Sequence, residues 1–299
     1  MKVSVILPCY NAGPALGRCL TALRRQDLGG AHPLEVIVVD DGSTDGTASL
    51  VEAFDPGLRP VYVHLPRTAT SGRSAARNTG IRHATGDLIV MIDPDHVFPG
   101  DFLARHVRHH EQRTDLVVAG PRHRMGGTVA DFTRDWSFEA LPPPRDVRVM
   151  VLARLGLPFG DLATCWYYAF SCNLSVRREH LLAVGGFDEG FTGWGLEDSE
   201  LGYRLRRHGL AFAFEPAAVL YTWERGGMTA RRYADWRRNL AHFTAVHPGA
   251  DVAQIRLLDD TFNPDVTVED GIGRYAQFEH AVRALTAPAR RPRPGTASG

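Results

Sequence analysis

Two aspartates, Asp93 and Asp95, come directly after the apolar run Leu88–Ile92. A continuous apolar run of this length is typical of a buried strand in a parallel sheet, and such sheets bind ligands beyond the carboxyl ends of their strands. Two carboxylates one residue apart repel each other unless a cation lies between them, and their oxygens suit Mg²⁺ or Mn²⁺ together with phosphate oxygens. The pair therefore indicates a divalent-cation site beside a phosphate group. Taken alone, it also fits a loop in which one aspartate caps a helix beginning near Pro99.

Strand and helix patterns alternate through the first third of the chain and would place this pair at the edge of a sheet. The predicted strands cover residues 3–7, 34–39, 61–65 and 87–92. The predicted helices cover residues 14–25, a stretch after the turn at 41–45 that runs to about residue 54, and residues 74–84. Because alternating strands and helices are joined by parallel crossovers, the pattern predicts the α/β class with a Rossmann-like, mostly parallel sheet flanked by helices.

The loops after the first two predicted strands carry side chains that suit a nucleoside. Tyr10 offers an aromatic face for a nucleobase, and Asp41 can accept hydrogen bonds from a base or a ribose. Carboxyl ends of neighbouring parallel strands meet at one edge, so these loops should converge on Asp93 and Asp95. An aromatic ring, a carboxylate and a metal site outline a binding site for a nucleoside diphosphate.

The composition excludes several kinds of phosphate site. The formal net charge is +0, so the molecule as a whole gives no argument for nucleic acid, and we expect no such partner. Lys2 is the only lysine, which excludes a phosphate-loop lysine, a kinase-type lysine and a Schiff-base lysine within the chain. Anions must therefore be bound by arginine, by backbone N–H groups or by a metal ion.

The spacing of the cysteines and the hydropathy of the chain indicate the cellular compartment in which the protein is expected. The four cysteines show no C-x-x-C pair and no zinc-type spacing, so we interpret them as small buried side chains in a reducing environment. The apolar run at the N-terminus is too short for a signal peptide, and no stretch approaches the roughly 20 apolar residues of a membrane-spanning helix. The expected location is cytoplasmic, and contact with a membrane surface stays open.

Patterns in the rest of the chain are less regular. Residues 121–164 mix glycine, proline, aromatic residues and arginine without a clear period, which is typical of a loop that builds partner specificity. Strands are predicted at residues 116–119, 167–176 and 211–214, and helices at residues 99–110, 178–184, 197–207, 233–246 and 273–285. The three histidines of the first of these helices, His106, His109 and His110, are predicted to form a solvated face.

Four segments of the first third of the chain together resemble family 2 glycosyltransferases of the GT-A fold. They are VILPCYN at 5–11, VVDDGSTD at 38–45, ARNTG at 76–80 and IDPD at 92–95, in the order and spacing of that family. The family transfers a sugar from a nucleotide donor with inversion at the anomeric carbon. The resemblance therefore implies an inverting glycosyltransferase with a nucleotide-sugar donor, expected to be a UDP-sugar, and with Mg²⁺ or Mn²⁺ as cofactor.

The resemblance also implies roles for single residues on the donor side. The donor-binding residues that it implies are Pro8, Tyr10, Asp41, Arg73, Arg77, Asn78 and Asp93. Pro8, Tyr10 and Asp41 would contact the nucleoside, and Arg73 or Arg77 the diphosphate region. Asp93 and Asp95 would contact the ribose and the metal.

A further motif is similar to the acceptor side of this family and of the related galactosyltransferases. It is GWGLED at 193–198, preceded by GGFD at 185–188. In that motif the aspartate of the Glu-Asp pair is the general base. The resemblance therefore implies Asp198, together with Glu197, as catalytic residues. A carboxylate at the start of a helix can be held ionised by the N-terminal amides, which suits this role. The implied acceptor contacts are Trp194, Gly195 and Glu197. Glu197 and Asp198 also fit an interpretation as ordinary acidic residues in the first turn of a helix, and Trp194 also fits an interpretation as a core residue.

One departure from the family concerns the metal. Many relatives place a histidine ligand after a strand like that at 216–219, and residues 216–224 contain none. Glu224 or water could complete the ligand shell, and His96 is a further candidate. The third metal ligand therefore stays open.

The resemblance divides the chain into parts with expected roles. They are a GT-A domain at 1–225, with a nucleotide-sugar-binding half at 1–120 and an acceptor half at 121–225, a helical extension at 226–286 and a disordered tail at 287–299. The acceptor could be a saccharide, a lipid-linked glycan or a small molecule, and the sequence does not separate these.

Three functions of other kinds compete with this interpretation. A sugar-phosphate nucleotidyltransferase would usually carry a glycine-rich N-terminal loop with a basic residue, and residues 8–13 offer neither. An NAD-linked dehydrogenase is disfavoured because no G-x-G-x-x-G follows the first strand. A transferase-like domain that binds a sugar nucleotide or a partner without catalysis stays open, although both acidic motifs are present.

Overall fold

The structure is a computed structural model that describes residues 1–68, 71–125, 136, 138, 141, 146–223, 228–262 and 268–286, with the backbone alone at 260 and 268–270. Glu224, the tail at 287–299 and much of the predicted specificity loop at 121–164 lie outside the described residues.

The described strands form a large sheet and a small sheet. They are β1 (Val3–Cys9), β2 (Leu34–Asp40), β3 (Val61–His64), β4 (Leu88–Ile92), β5 (His96–Val97), β6 (Leu116–Ala119), β7 (Arg122–Arg124), β8 (Asn173–Arg177), β9 (Ala211–Phe214) and β10 (Leu220–Thr222). Within the described residues the large sheet has seven strands in the order β3-β2-β1-β4-β8-β6-β9, and only β8 runs antiparallel to its neighbours. The predicted mostly parallel sheet is confirmed.

Helices flank this sheet and continue to the end of the described chain. They are α1 (Gly13–Arg24), α2 (Thr47–Glu52), α3 (Arg73–His83), α4 (Phe102–Gln112), α5 (Val147–Leu155), α6 (Arg178–Ala183), α7 (Glu197–Arg207), α8 (Ala230–Val246), α9 (Ala250–Ala253) and α10 (Val268–Thr286). Short 3₁₀ segments cover Phe159–Asp161, Cys165–Tyr168 and Gln254–Phe262. The predicted helical C-terminal region is confirmed, whereas the domain boundaries stay a prediction.

The strand predicted at 167–176 is wrong in its first half. Its apolar start belongs to the 3₁₀ segment Cys165–Tyr168, and the strand itself is Asn173–Arg177. The aromatic side chains of the 3₁₀ segment are buried against α7 and the C-terminal helices, where Trp166 makes edge contacts with Tyr203 and Phe243. A short apolar run buried in this way has no period that distinguishes a strand from a tight helical turn.

The sheet is covered on both faces, which explains its uninterrupted apolar strands. Every residue of β1 and β4 is buried. Side chains of β1 alternate between two cores: Val5 and Leu7 pack with α1, and Ile6 packs in the core that also contains the C-terminal helices. The carboxyl ends of these strands, held between two helical layers, are therefore fixed positions on which loops can present polar groups.

The small sheet lies next to the end of β4. Its strand order is β5-β10-β7, and the antiparallel pair β5 and β10 sets Thr222 opposite His96. This pairing brings the end of β10 to the acidic pair that follows β4. None of the helices in the described parts of the chain combines the length and the apolar character that crossing a membrane requires.

Candidate functional site

A cavity of about 670 Å³ opens beyond the carboxyl ends of the central strands. It is lined by every site residue predicted from the sequence except Asn78, namely Pro8, Tyr10, Asp41, Arg73, Arg77, Asp93, Asp95, Trp194, Gly195, Glu197 and Asp198. We call the face formed by Tyr10, Asp41, Asp93 and Asp95 the sheet wall. We call the face formed by Trp194, Gly195, Glu197 and Asp198 the helix wall. The two acidic motifs therefore line the same cavity.

Arg77 connects the two walls. Its side chain is 2% exposed, and its Nη2 lies 3.2 Å from Asp93 Oδ1. Its Nη1 lies 3.3 Å from Glu197 Oε1 and 3.4 Å from Asp198 Oδ1. Burial opposes the charge of Arg77, but the carboxylates of Asp198, Asp93 and Glu197 outweigh it and raise the pKa of the guanidinium. A buried arginine that pairs with three acids holds both walls at a defined separation, because moving either wall would leave the buried charge of Arg77 with fewer partners.

Asp198 lies at the start of α7 with one oxygen held by the protein. Ser171 Oγ donates a hydrogen bond of 2.5 Å to Asp198 Oδ1, the oxygen that Arg77 also contacts. Among the described residues no donor reaches Oδ2, which is left for a ligand. Burial and the neighbouring Glu197 raise the pKa of Asp198 to about 6, while Arg77 and Ser171 act in the opposite direction. The carboxylate can therefore take up a proton near neutral pH, as a general base must.

The backbone that leads into α7 makes a sharp turn that places this carboxylate. Gly193, Gly195 and Leu196 all have positive φ values, of 76°, 97° and 71°. A Cβ on Gly193 would also overlap the carboxylate of Asp235 on α8. The Gly-x-Gly spacing of the motif is therefore required by the turn and by close contact with α8, and Arg73 Nη1 ties α3 to the same turn by donating to Gly193 O at 3.2 Å.

The acidic pair after β4 has the donor set of a divalent-cation site. Ligand atoms of Asp93, Asp95 and His96 lie within 4.8 Å of one another. Asp95 Oδ1 lies 3.1 Å from His96 Nδ1, and Asp95 Oδ2 accepts a 2.9 Å hydrogen bond from Thr222 Oγ1. Burial alone would raise the pKa of Asp95, but the contacts with His96 and Thr222 outweigh it and hold the pKa well below its usual range. Two neighbouring carboxylates beside an imidazole fit a hard cation such as Mg²⁺ or Mn²⁺.

The outer end of the sheet wall is built by two interlocked loops. The N–H of Asn11 donates to Ser43 Oγ, and the N–H of Thr44 donates to Asn11 Oδ1, both at 2.8 Å. Asp40 holds its own turn by accepting from the N–H of Ser43 at 2.8 Å. Asp41 is left to face the cavity, as the sequence predicted for the second carboxylate of the pair.

Arg67 belongs to this end of the cavity and was missed in the sequence. Its Nη1 lies 2.6 Å from Asp41 Oδ2, and its guanidinium carbon lies 4.1 Å from the centre of the Tyr10 ring. The available signal was its position just after the third predicted strand, at the same sheet edge as the other loops. A single arginine among many gave no reason to select it.

An aromatic surface continues the helix wall and was also missed. Trp236 of α8 stacks on Phe262 with ring centres 4.7 Å apart, and Phe262 lies 6.0 Å from Trp194. All three line the cavity together with Tyr167 and Tyr275. Flat aromatic faces of this kind can pack against a sugar ring, and the acceptor contact of Trp194 stays a prediction.

Two predictions do not fit the structure. Asn78 does not line the cavity: its amide donates to Phe187 O at 2.9 Å and to Glu189 Oε1 at 2.8 Å, while Oδ1 accepts from the N–H of Phe187 at 2.7 Å. Both ends of the amide are thus used to hold the loop before the acceptor motif. The predicted solvated histidine face is wrong for two of its three residues. His106 and His110 are buried, and each contacts the Ser175 hydroxyl.

Comparisons with known proteins agree with this arrangement of motifs. Residues 4–171 match the model described as Glycosyl transferase family 2, and residues 163–230 match the model described as the N-terminal domain of galactosyltransferase. The first match includes the sheet wall, and the second includes the motif of the helix wall.

Among proteins of similar sequence are an uncharacterized glycosyltransferase YfnE of Bacillus subtilis and a validoxylamine A glucosyltransferase of Streptomyces hygroscopicus. YfnE is 27% identical over 89% of this chain and 76% of its own length. The glucosyltransferase is 32% identical over 70% of this chain and 52% of its own length. The chain therefore spans between half and about three quarters of these two relatives.

Solved structures share the fold at low sequence identity. TarS 1-349 of S. aureus in complex with UDP-GlcNAc superimposes with a TM-score of 0.62 at 19% identity, over 95% of this chain and 84% of that one. The mannosyltransferase PcManGT of Pyrobaculum calidifontis in complex with GDP-Man and Mn²⁺ gives a TM-score of 0.55 at 21% identity, over 96% of this chain and 76% of that one.

Proposed function

Because the chain belongs to glycosyl transferase family 2, whose model matches more than half of it, and is therefore a glycosyltransferase with the GT-A fold, we propose a specific reaction for its cavity. The enzyme moves a sugar from a nucleoside diphosphate donor, expected to be a UDP-sugar, to a hydroxyl group of an acceptor. The transfer inverts the configuration of the anomeric carbon, and Asp198 is the general base.

The observation that carries this proposal is the joint contact of Arg77 with Asp93 on one wall and with Asp198 on the other. One sugar ring can reach both a phosphate held at the sheet wall and a base on the helix wall only if the walls border one space. The guanidinium spans that space, and both carboxylates lie within 3.4 Å of it.

The proposed chemistry follows from the positions of the carboxylates. The acceptor hydroxyl gives its proton to Asp198 Oδ2 as its oxygen attacks the anomeric carbon from the side opposite the diphosphate, which inverts that carbon. Asp93 and Asp95 fit a divalent cation, Mg²⁺ or Mn²⁺, which when bound supplies charge compensation for the departing diphosphate. Arg73, which lines the cavity at the start of α3, adds a positive charge for the same group.

In this proposal the nucleobase of the donor and the acceptor molecule bind at opposite ends of the cavity. Tyr10, Pro8 and Asp41 contact the nucleoside. Trp194 and the neighbouring aromatic surface pack against the acceptor, which is a saccharide, a lipid-linked glycan or a small cyclic molecule. A relative such as the validoxylamine A glucosyltransferase supports a small acceptor.

A panel assay tests the proposal. The purified chain would be incubated with Mn²⁺, a set of UDP- and GDP-sugars and a library of saccharide and cyclitol acceptors, and products would be followed by mass spectrometry. We expect release of nucleoside diphosphate together with a glycosylated acceptor, and an α-linked donor should give a β-linked product by NMR.

Two other outcomes would contradict the proposal and identify its alternatives. Formation of pyrophosphate from a sugar phosphate and a nucleoside triphosphate would indicate a nucleotidyltransferase. Binding of a sugar nucleotide with no transfer to any acceptor and no release of nucleoside diphosphate would indicate a binding domain without catalysis.

A further inference from the structure

Four polar side chains are buried together between α4 and β8. They are His106 and His110 of α4 and Asn173 and Ser175 of β8, each 0% exposed, and none of them lines the cavity. Four residues of a helix rise about 6 Å and two residues of a strand about 7 Å, so side chains at these spacings on facing elements can pair with one another. We call these four side chains the histidine network.

The orientation of the Asn173 amide is fixed from both of its ends. Its Nδ2 uses both hydrogens, which donate to Ala218 O at 2.8 Å and to Pro121 O at 3.0 Å. Its Oδ1 must therefore accept from His106 Nε2, which lies 3.1 Å away. A Cβ on Gly120 would overlap Ala218 O and lie 2.7 Å from Asn173 Nδ2, so the backbone closes tightly around this amide.

The two histidines continue this order of donors and acceptors. Burial lowers the pKa of His106 to about 4 and that of His110 to about 3, so both rings are neutral at neutral pH and each carries one N–H. Since His106 Nε2 is a donor, its Nδ1 accepts from the Ser175 hydroxyl at 2.9 Å. The Ser175 oxygen in turn accepts from His110 Nε2 at 2.9 Å. Every hydrogen bond of the network therefore runs in one direction, from His110 to Asn173.

The side chain of Asn173 is linked to the acidic pair through β10. Ala218, which accepts from the amide, lies two residues before the start of β10. Thr222 at the end of this strand donates to Asp95 Oδ2 at 2.9 Å. A three-residue strand thus connects the contact with Asn173 to the contact with Asp95.

The backbone of Asn173 is linked to the helix wall. Its N–H donates to Phe170 O at 3.1 Å and closes a four-residue turn. Ser171 lies in this turn, and its hydroxyl donates to Asp198 Oδ1. A displacement of Asn173 would therefore be passed on to the partners of both Asp95 and Asp198.

We propose that the histidine network is a positioning device for the reaction: by holding the Asn173 amide in one orientation, it fixes Asp95 and Asp198 relative to each other. His106 and Asn173 are positioning residues, because they act through Thr222 and Ser171. The inference rests on the proposed function, which assigns Asp95 to the cation and Asp198 to the proton.

Three variants of His106 separate the two contacts of its ring. The amide of a glutamine can place a donor where Nε2 lies, so His106→Gln keeps the contact with Asn173. The shorter asparagine reaches only the position of Nδ1, so His106→Asn keeps the contact with Ser175 alone. His106→Leu removes both contacts.

Ser4→Ala is a matched control for a loss of stability without a path to the cavity. The buried Ser4 hydroxyl, near the amino end of β1, donates to Glu35 at 2.5 Å and accepts from the N–H of Gly86 at 2.9 Å. For each protein we would measure the free energy of unfolding by chemical denaturation. At a temperature where all are folded, we would also measure the Kd for Mn²⁺ in the presence of UDP, from the electron paramagnetic resonance signal of free Mn²⁺, and kcat.

The expected results follow from which contact of His106 reaches Asn173. In His106→Asn and His106→Leu the Kd for Mn²⁺ should rise by about tenfold and kcat should fall by about 10- to 100-fold, as for other indirect displacements of metal ligands and reacting groups. His106→Gln should stay close to the wild type in both quantities. Ser4→Ala should lower the free energy of unfolding and leave both quantities unchanged.

Two results would overturn the role of the network. If the His106 variants lost stability but kept the Kd for Mn²⁺ and kcat of the wild type, the network would have only a structural role. If His106→Gln and His106→Asn changed both quantities equally, the effect would come from packing of the ring and not from its contact with Asn173.

Failure of the proposed function would be visible in the wild type itself. A wild type that transferred no sugar would contradict the proposed function, whereas the Kd values for Mn²⁺, measured without an acceptor, would still decide the role of the network. A wild type that bound no Mn²⁺ in the presence of UDP would overturn both the cation site and this inference.

Discussion

Asp93 and Asp198 lie on opposite walls of the cavity and contact the same guanidinium, that of Arg77. Asp93 follows a strand of the central sheet, and Asp198 lies in the first turn of a helix that packs against the C-terminal helices. Since Arg77 is buried, the contact holds the two walls at a defined separation. In the proposed reaction the distance between a donor phosphate and an acceptor hydroxyl is therefore set by an ion-pair cluster.

Replacing Asp198 by asparagine should remove the general base while keeping the size of the side chain. We expect kcat to fall by about 10²- to 10⁴-fold, the usual contribution of a general base, with the affinity for the nucleotide donor largely unchanged. Steady-state kinetics and calorimetry with the donor would measure both. Asp115→Asn is a matched control, because this exposed acid pairs with Arg113 and does not line the cavity. Near-normal turnover in Asp198→Asn would show that another group accepts the proton.

The same residue sets the expected pH dependence. Burial and Glu197 raise the pKa of Asp198 to about 6, and only the ionised form can accept a proton, so kcat/KM should fall as pH decreases through about 6. Ser171 donates to the ionised carboxylate and so lowers its pKa. In Ser171→Ala the acidic limb of the profile should therefore move to higher pH. A variant that lost activity equally at all pH values would show that Ser171 has only a structural role.

The sequence predicted the sheet wall well because its chemistry is local. Tyr10, Asp41 and Asp93 each follow a predicted strand within three residues, and the parallel pairing of β1 with β2 and β4 brings those strand ends together. The positions of Tyr10, Asp41 and Asp93 followed from counting residues after an apolar run. No knowledge of distant contacts was needed for this part of the site.

The other features depend on packing between distant segments, which one sequence does not show. Trp236 and Phe262 reach the cavity because α8 packs on the turn before α7, where Asn239 donates to Gly195 O, and the 3₁₀ segment after α9 packs on α8. Neither residue lies in a recognisable motif. His106 is buried because β8 places Ser175 and Asn173 opposite it, although its helix pattern suggested exposure. Polar residues buried with matching partners look the same in sequence as polar residues in water.

Removing one carboxylate of the acidic pair should weaken metal binding. In Asp95→Asn a neutral amide oxygen replaces an ionised ligand that Thr222 and His96 orient. We expect the Mn²⁺ concentration for half-maximal activity to rise by roughly 10- to 100-fold, comparable with losses seen when metal sites are altered. Activity titrated with Mn²⁺ after removal of metal by a chelator would measure this, with Asp101→Asn, an exposed acid paired with Arg105, as control. An unchanged titration curve would place the metal elsewhere or show that the reaction does not require it.

Asn78 should matter for stability and not for donor binding. Its amide makes three hydrogen bonds that hold Phe187 and Glu189, and it does not line the cavity. Asn78→Ala would leave the N–H and the carbonyl of Phe187 without these partners in a buried place, so we expect a loss of about 2–3 kcal/mol in the free energy of unfolding. Chemical denaturation followed by circular dichroism would measure it, and calorimetry would give the Kd for UDP.

The conservative variant Asn78→Asp makes the comparison sharper, because it keeps the acceptor for the N–H of Phe187 but loses the donor to Phe187 O. We expect its stability to fall at least as far as that of Asn78→Ala, because the new carboxylate faces Phe187 O and the carboxylate of Glu189. The Kd for UDP should be unchanged in all three proteins at a temperature where each is folded. Weaker UDP binding at unchanged stability would instead make Asn78 a donor-binding residue, as its place in the ARNTG motif implies. A residue that only supports a loop changes the free energy of unfolding and leaves the Kd for UDP unchanged. A donor-binding residue changes the Kd for UDP and leaves the free energy of unfolding unchanged.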